Sequence, residues 1–415
     1  MATKRVVGLT DRQLKREDSS MFSTVPTVGS KRIPGYHQRH TRAGMYSSSK
    51  HAGLKINLIG EFSGVHACFA RELTRRGHRV TCISSGDGWK ASAASIRLSS
   101  AKINSRCDHA VKLLWNTQKL IRYTKADIVQ IINPIFFSAP LAFNRFIAKA
   151  ATRRSKVVTM LGCGDDGVMI RDGLPKLKYH FYDEWRRVDN GGKPGLHESN
   201  DAYTYNVWLA SHLKRIFCTS YEYAIGYQVG TAKARVRPLP LPFDSIVGQE
   251  HMVDDPSAPV RILHGITRPG FKGTGIIKEA LTRIQAQFGK RVIAQYVTRV
   301  PLEVYRDEIR KSHIVIDQIN SYGYGMACLE ALAMNRVCVS GGESEALEWL
   351  GAKDCPVINT CNNVASVEAA VKALVANSGL LVATANSGAR YVERYHRASH
   401  VVESWLSEIH ESIKE

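Results

Sequence analysis

Short apolar runs alternate along this chain with longer stretches in which apolar residues return every three or four positions. That is the signature of strands exchanging with amphipathic helices. Residues 53–60 (GLKINLIG) read as a first strand, 60–66 as the turn after it, 66–77 as a helix and 78–84 as the next strand. The second half repeats the pattern, with a strand over 260–263, a helical run from Ile276, a strand over 313–317 and a helix containing Leu329 to Met334. Strands separated by helices imply βαβ units, a parallel α/β sheet and ligand sites beyond the carboxyl ends of the strands. The most apolar stretch, 128–143, is interrupted by Asn133, Pro134 and Pro140. It therefore predicts strand, turn and helix rather than a membrane span. Residues 389–413 read as helical.

Two segments stand out from this alternation. Residues 320–334 (NSYGYGMACLEALAM) pass from a strand into a helix through Gly323 and Gly325, flanked by Tyr322, Tyr324 and Met326. Glycines there let backbone approach a ligand closely. The helix N-terminus beyond them offers unpaired N–H groups and partial positive charge to an anion such as a diphosphate. Glu330, one to two turns in, is placed to accept hydrogen bonds from ribose hydroxyls. Residues 264–275 (HGITRPGFKGTG) follow a strand and carry Arg268 and Lys272 among four glycines, Gly270 and Gly273 included. A strand, a glycine-rich loop with cations and a helix can hold a pyrophosphate, although the Walker spacing is absent. A buried helix face and an exposed charged loop would use the same residue types.

At these residues the chain resembles the donor half of retaining GT-B glycosyltransferases of the family-4 type. Arg268 and Lys272 are similar to that family's diphosphate-binding Arg and Lys, although here Arg precedes Lys by four residues and not five. The run LEALAM (329–334) is similar to the end of the family's E-x7-E signature, which makes Glu330 the second acid and puts Tyr322 where the first would stand. The resemblance spans roughly residues 53–410 and implies a GT-B fold, two Rossmann-like domains facing across a cleft. It also implies a nucleoside-diphosphate-sugar donor held by Arg268, Lys272, Gly270, Gly273, Tyr322, Gly323, Tyr324, Gly325, Met326 and Glu330. Transfer to a hydroxyl with retention, and without a metal or other cofactor, belongs to the same expectation. Since the first acid touches the donor sugar in that family, Tyr322 leaves the sugar open. Toward the N-terminus, Gly60, Glu61, Gly64 and His66 in the first turn, together with the 85–90 segment (SGDGWK), look like bacterial surface-polysaccharide transferases and mark the acceptor side.

Composition narrows the class. With 415 residues, 44% apolar and 23% charged, the chain has material for two to three globular domains. The expected division is a flexible basic arm over 1–50, an acceptor domain over 51–245, a linker over 246–258 and a donor domain over 259–415, with the last helix packing back on the first domain. Nine cysteines, odd in number and without a C-x-x-C pair, suggest reduced thiols in a cytoplasm rather than a disulfide framework or zinc site. No secretory signal pattern opens the sequence. The net charge of +20 is uneven: residues 1–50 hold 10 basic against 3 acidic groups, 51–245 hold 29 against 15, and 246–415 hold 18 against 19. A basic acceptor half suits an anionic partner. Candidates are an acidic or lipid-linked glycan, an anionic membrane surface that would make the protein peripheral, or nucleic acid. A plain solubility surface would look the same.

For chemistry, residues 161–166 (LGCGDD) follow a strand and end in Asp165 and Asp166. Either could orient an acceptor hydroxyl or take its proton. Arg171, close in sequence, could hold one of them ionised or meet an anionic acceptor. Asp is equally common at turns and helix N-caps. The aromatic and basic segment 179–193 could line a sugar site or simply pack, and stays unassigned. The expected function is transfer of a sugar from a nucleotide-sugar to a hydroxyl of an anionic or membrane-associated glycan. A transferase acting on modified bases of nucleic acid, and a non-catalytic nucleotide- or glycan-binding protein of the same fold, remain as alternatives; Tyr322 keeps the last one open.

Overall fold

The computed structural model describes residues 53–85, 96–97, 117–118, 120–229, 233–244, 252, 255 and 257–414. The arm over 1–50, residues 86–90 and most of the 246–258 linker lie outside the described residues.

Two all-parallel sheets form the framework. The first holds β1 (Lys55–Ile59), β2 (Arg79–Ser84), β3 (Ile96–Arg97), β4 (Ile128–Ile131), β5 (Val157–Gly162), β6 (Arg215–Cys218) and β7 (Val236–Pro238), in the order β3-β2-β1-β4-β5-β6-β7. The second holds β8 (Val260–Ile266), β9 (Val292–Thr298), β10 (Ile314–Ile316), β11 (Val337–Ser340) and β12 (Ile358–Asn359), in the order β12-β11-β10-β8-β9. Strands β4, β5 and β6 are buried along their whole length, which explains their continuous apolar runs: helices cover both faces of a parallel sheet. The helix Val65–Arg75 turns Val65, Cys68, Phe69 and Leu73 inward at three-to-four spacing. In the second half, Ile277, Leu281 and Ile284 of the helix Thr274–Phe288 meet Val367 and Val371 of the helix Val364–Ala376 in one core.

Each sheet reverses its strand order once, between β1 and β4 and between β8 and β10. A crevice opens at such switch points beyond the carboxyl ends of the strands. The segments 60–66, 161–166, 264–275 and 320–325 all follow the strands at or next to these points.

The tail differs from its sequence reading. Residues 389–413 do not form one helix; Ser378–Tyr395 and Ala398–Lys414 are separate helices broken at His396 and Arg397. The break lets the chain pair with its earlier passage between the halves: Phe243 N–H donates to His396 O at 2.6 Å and Ala398 N–H to Phe243 O at 2.9 Å. Burial lowers the His396 imidazole to about 4, so it is neutral. One ring nitrogen must then donate and the other accept. Donation from Nδ1 to Leu241 O at 2.9 Å leaves Nε2 to accept from the Tyr324 hydroxyl at 3.0 Å. Beyond the break, the helix Ala398–Lys414 lies on the first half. The fully buried Trp405 packs edge-on against Phe69 and donates to Gln130, while Glu408 accepts from Arg215 and Arg237. No single described helix is long and apolar enough to cross a membrane.

Candidate active site between the two halves

On the C-terminal face, the loops after β8 and β10 lie side by side. Gly273, at φ +73°, carries the chain from the short turn Pro269–Lys272 into the helix Thr274–Phe288, and a Cβ there would come within 2.5 Å of Ile319. Gly273 is thus required by turn and packing. Lys272 points inward: its ammonium lies 2.7 Å from Oδ1 of Asp317, at the end of β10, and both side chains are buried. Arg268 behaves differently. Its side chain is 45% exposed, lies 3.8 Å from the Phe271 ring centre and brings Nη1 to 3.6 Å from Oδ2 of Asp165 on the opposite face.

The expected helix after Gly325 spans Met326–Ala333. Met326 is half-buried and packs against the core. Glu330 already holds a partner: its carboxylate is engaged by the Arg306 guanidinium through two hydrogen bonds of 2.9 Å. A bidentate pair of this type anchors the carboxylate and leaves each oxygen a lone pair for a further donor. Tyr324 is a correction: it is buried, and its hydroxyl is held by Tyr391 and His396 at the interdomain crossing. Tyr322 faces the other half. Its hydroxyl accepts from Lys178 N–H at 2.8 Å, its N–H donates to Glu222 at 2.5 Å, and its ring lies near Tyr179 and Tyr221. Gly323 and Gly325 need no left-handed backbone; Gly323 sits beside Ser220 and Glu222.

On the N-terminal face the two neighbouring carboxylates part ways. Asp165 reaches the cleft and meets Arg268; its Oδ1 is buried with no hydrogen-bond partner among the described residues. Asp166 is fully buried, accepting from Met169 N–H at 2.8 Å and from the Tyr227 hydroxyl at 3.0 Å. Burial raises its carboxyl to about 6. It is a structural post and does not face an acceptor. Arg171 is exposed, stacked 4.3 Å from the Tyr203 ring centre and bonded to Asn200, so it engages neither aspartate. Nor does the first turn form an open acceptor surface. Gly60 packs where a Cβ would strike Ile132 and Phe136, and Gly64 supplies the left-handed turn before the helix. Glu61 accepts from Ala67 N–H at 2.6 Å, satisfying a donor at a helix start whose capping residue has no side chain. His66 is buried between Gly60 O and Gln130, and burial lowers it to about 4.

Several functional partners escaped the sequence reading. Asp317 was visible only as the last residue of a strand, and neither Arg306 nor Glu222 was singled out. The unassigned segment after Tyr179 forms the wall between the halves. Phe181 packs 4.1 Å from Phe271, Asp189 accepts from Phe271 N–H, and Glu184 O would lie 2.5 Å from a Cβ on Gly270. Gly270 is therefore covered by protein rather than by an approaching ligand. Beside this wall, a cavity of about 340 Å³ is lined by Lys178, Tyr179, His180, Glu184, Ile276 and Asn320 among others. Among the described residues, no three His, Cys, Asp or Glu side chains gather as metal ligands would.

No known protein-family profile and no curated protein sequence matches the chain. Solved structures do. Anabaena HepE in complex with UDP and glucose superposes with a TM-score of 0.56 at 11% identity, covering 86% of this chain and 100% of that one. Sucrose-phosphate synthase from Thermosynechococcus elongatus gives 0.57 at 11%, covering 87% and 99%. A glycosyltransferase from Rickettsia africae gives 0.52 at 13%, covering 88% and 99%. At such identities the likeness is one of architecture, and that architecture is GT-B: two Rossmann-like halves facing across a cleft.

Proposed function

We propose that this chain is a glycosyltransferase that moves a sugar from a nucleoside-diphosphate-sugar, UDP-linked in the first instance, to a hydroxyl of an anionic or membrane-associated glycan. The observation that carries the reading is the pairing of loops 264–275 and 320–325 at the β8/β10 switch point, opposite Asp165. The GT-B likeness to HepE, itself seen with UDP and glucose, supports it. Arg268 is the cation best placed to meet a diphosphate, and Lys272 adds positive charge once drawn from Asp317. Together with the N–H groups of the 320–325 loop they would stabilise the leaving diphosphate, taking the part a metal plays elsewhere. Asp165 would orient the acceptor hydroxyl. Retention of anomeric configuration follows the resemblance to family-4 enzymes.

An anionic acceptor, at or near a membrane surface of the cytoplasm, fits the outer face of the first half. The helix Leu141–Arg154 carries Arg145, Lys149, Arg153 and Arg154, no acid, and an exposed Phe146. Cations around an exposed apolar side chain suit a negatively charged layer. A second reading, a nucleotide-binding protein without turnover, draws support from one observation: Lys272 and Glu330 are both engaged by charged partners of their own half. Incubation with UDP-sugars and lipid-linked or acidic glycan acceptors, read by UDP release and by NMR of the anomeric proton, separates the two. Acceptor-dependent UDP release with the anomer retained supports transfer. Nucleotide binding without release under any acceptor favours the second reading, and release on DNA alone would redirect the acceptor to nucleic acid.

A further inference from the structure

Glu222 belongs to the short helix Tyr221–Ala224 after β6, in the N-terminal half, yet its carboxylate ends inside the C-terminal half's 320–325 loop. Oε1 accepts from Tyr322 N–H at 2.5 Å and Oε2 from the Ser220 hydroxyl at 2.5 Å. The Ser321 hydroxyl and Gly323 N–H lie near it and favour its ionised form. A Cβ on Gly323 would stand 3.8 Å from Oε2, which places the carboxylate directly beside this part of the loop. The carboxylate is buried, and burial outweighs these hydrogen bonds, raising it above the usual carboxylate range. Successive backbone N–H groups and hydroxyls converging on one anion make a cradle. Each of those N–H groups has one hydrogen to give. Glu222 and the phosphates of a ligand therefore compete for the same donors.

We propose that Glu222 is a specificity-determining residue: an internal anion that fills the cradle of the 320–325 loop and is displaced only by a ligand bearing a diphosphate. The inference rests on the nucleotide-sugar reading above. A diphosphate brings more charge and more acceptor oxygens than one carboxylate, so it can take the cradle. A nucleoside or a free sugar cannot. Displacement also breaks a contact between the halves, which links ligand entry to opening of the cleft.

Isothermal titration of wild type and Glu222→Gln with pyrophosphate, UDP and uridine tests this. The amide keeps the shape and removes the charge. Pyrophosphate and UDP should bind the variant about tenfold more tightly, with uridine unchanged. Unchanged or weaker pyrophosphate binding in a variant that melts normally overturns the proposal, as does equal tightening of uridine or the failure of pyrophosphate to bind either protein. If pyrophosphate tightens while UDP binds neither protein, the cradle stands and the nucleotide-sugar reading falls. Should Glu222→Gln fail to fold, Ser220→Ala, which removes one hydroxyl holding the carboxylate, should tighten pyrophosphate about threefold; no change there overturns the proposal.

Discussion

Charges at the cleft are paired in two opposite ways. On the C-terminal face, cation meets carboxylate within one half, Lys272 with Asp317 and Arg306 with Glu330. On the N-terminal face, Asp165 and Glu222 find their partners across the cleft, at Arg268 and at the Tyr322 N–H. A pair inside one half survives any opening of the cleft and supports the fold. A pair across the cleft breaks on opening, and its members become available to a ligand. Substitutions inside a half should therefore appear first in melting, and substitutions across the cleft first in binding and turnover.

The strongest attack on that distinction is Lys272→Ala. It strands Asp317 as a buried charge, and removing one partner of such a pair costs about 3–5 kcal/mol. The free fold-neutrality that an exposed phosphate-binding lysine would show is not expected. A marked fall in melting temperature, largely restored in Lys272→Ala/Asp317→Asn, supports an internal pair; an unchanged melting temperature refutes it.

Asp166→Asn comes next and separates neighbouring carboxylates. In the folded chain the Asp166 carboxyl is raised from 3.8 to about 6, so the native state binds the extra proton between those values. Its stability contribution is full below 3.8 and lost as pH rises through about 6. At pH 7 the charged form weighs against folding by up to about 3 kcal/mol, a penalty the amide avoids while still accepting from Met169 or Tyr227. The variant should melt no lower than wild type at pH 7 and lose that part of the pH dependence. A variant that melts well below wild type at pH 7 would show that the ionised form supports the fold.

Arg268→Ala should reverse the pattern, lowering turnover about 100-fold while stability moves by no more than about 1 kcal/mol, the worth of its contact with Phe271. Comparable losses of both would place Arg268 with the internal pairs. The smallest effect is expected from Arg171→Ala, an exposed cation stacked on Tyr203. Loss of that contact costs about 0.5–1 kcal/mol and should leave turnover alone; a tenfold loss of turnover would return Arg171 to the acceptor side.

What could be read in the sequence was local. Glycine-rich turns after apolar runs marked the switch-point loops, because backbone freedom and periodicity are written in neighbouring residues. Which side chains of those loops face the cleft was not, since distant partners decide it. Lys272 looks like a ligand cation until β10 places Asp317 beside it. Glu61 and His66 look like cleft residues until the helix start and Gln130 claim them. The tail shows the same limit: apolar periodicity runs through residues 389–413, and only the passage of Leu241 to Phe243 alongside explains the break at His396. Glu222 carried no local sign of its role, because the loop it fills lies 100 residues away.

The central claim is a diphosphate site built on Arg268 and the loops at the β8/β10 switch point. A thermal-shift panel of nucleoside diphosphates on wild type and Arg268→Ala tests it most directly. The account predicts that one of them, UDP first, raises the melting temperature of wild type and that Arg268→Ala loses the shift. A wild type that no nucleoside diphosphate stabilises, or a shift that Arg268→Ala keeps in full, would contradict it.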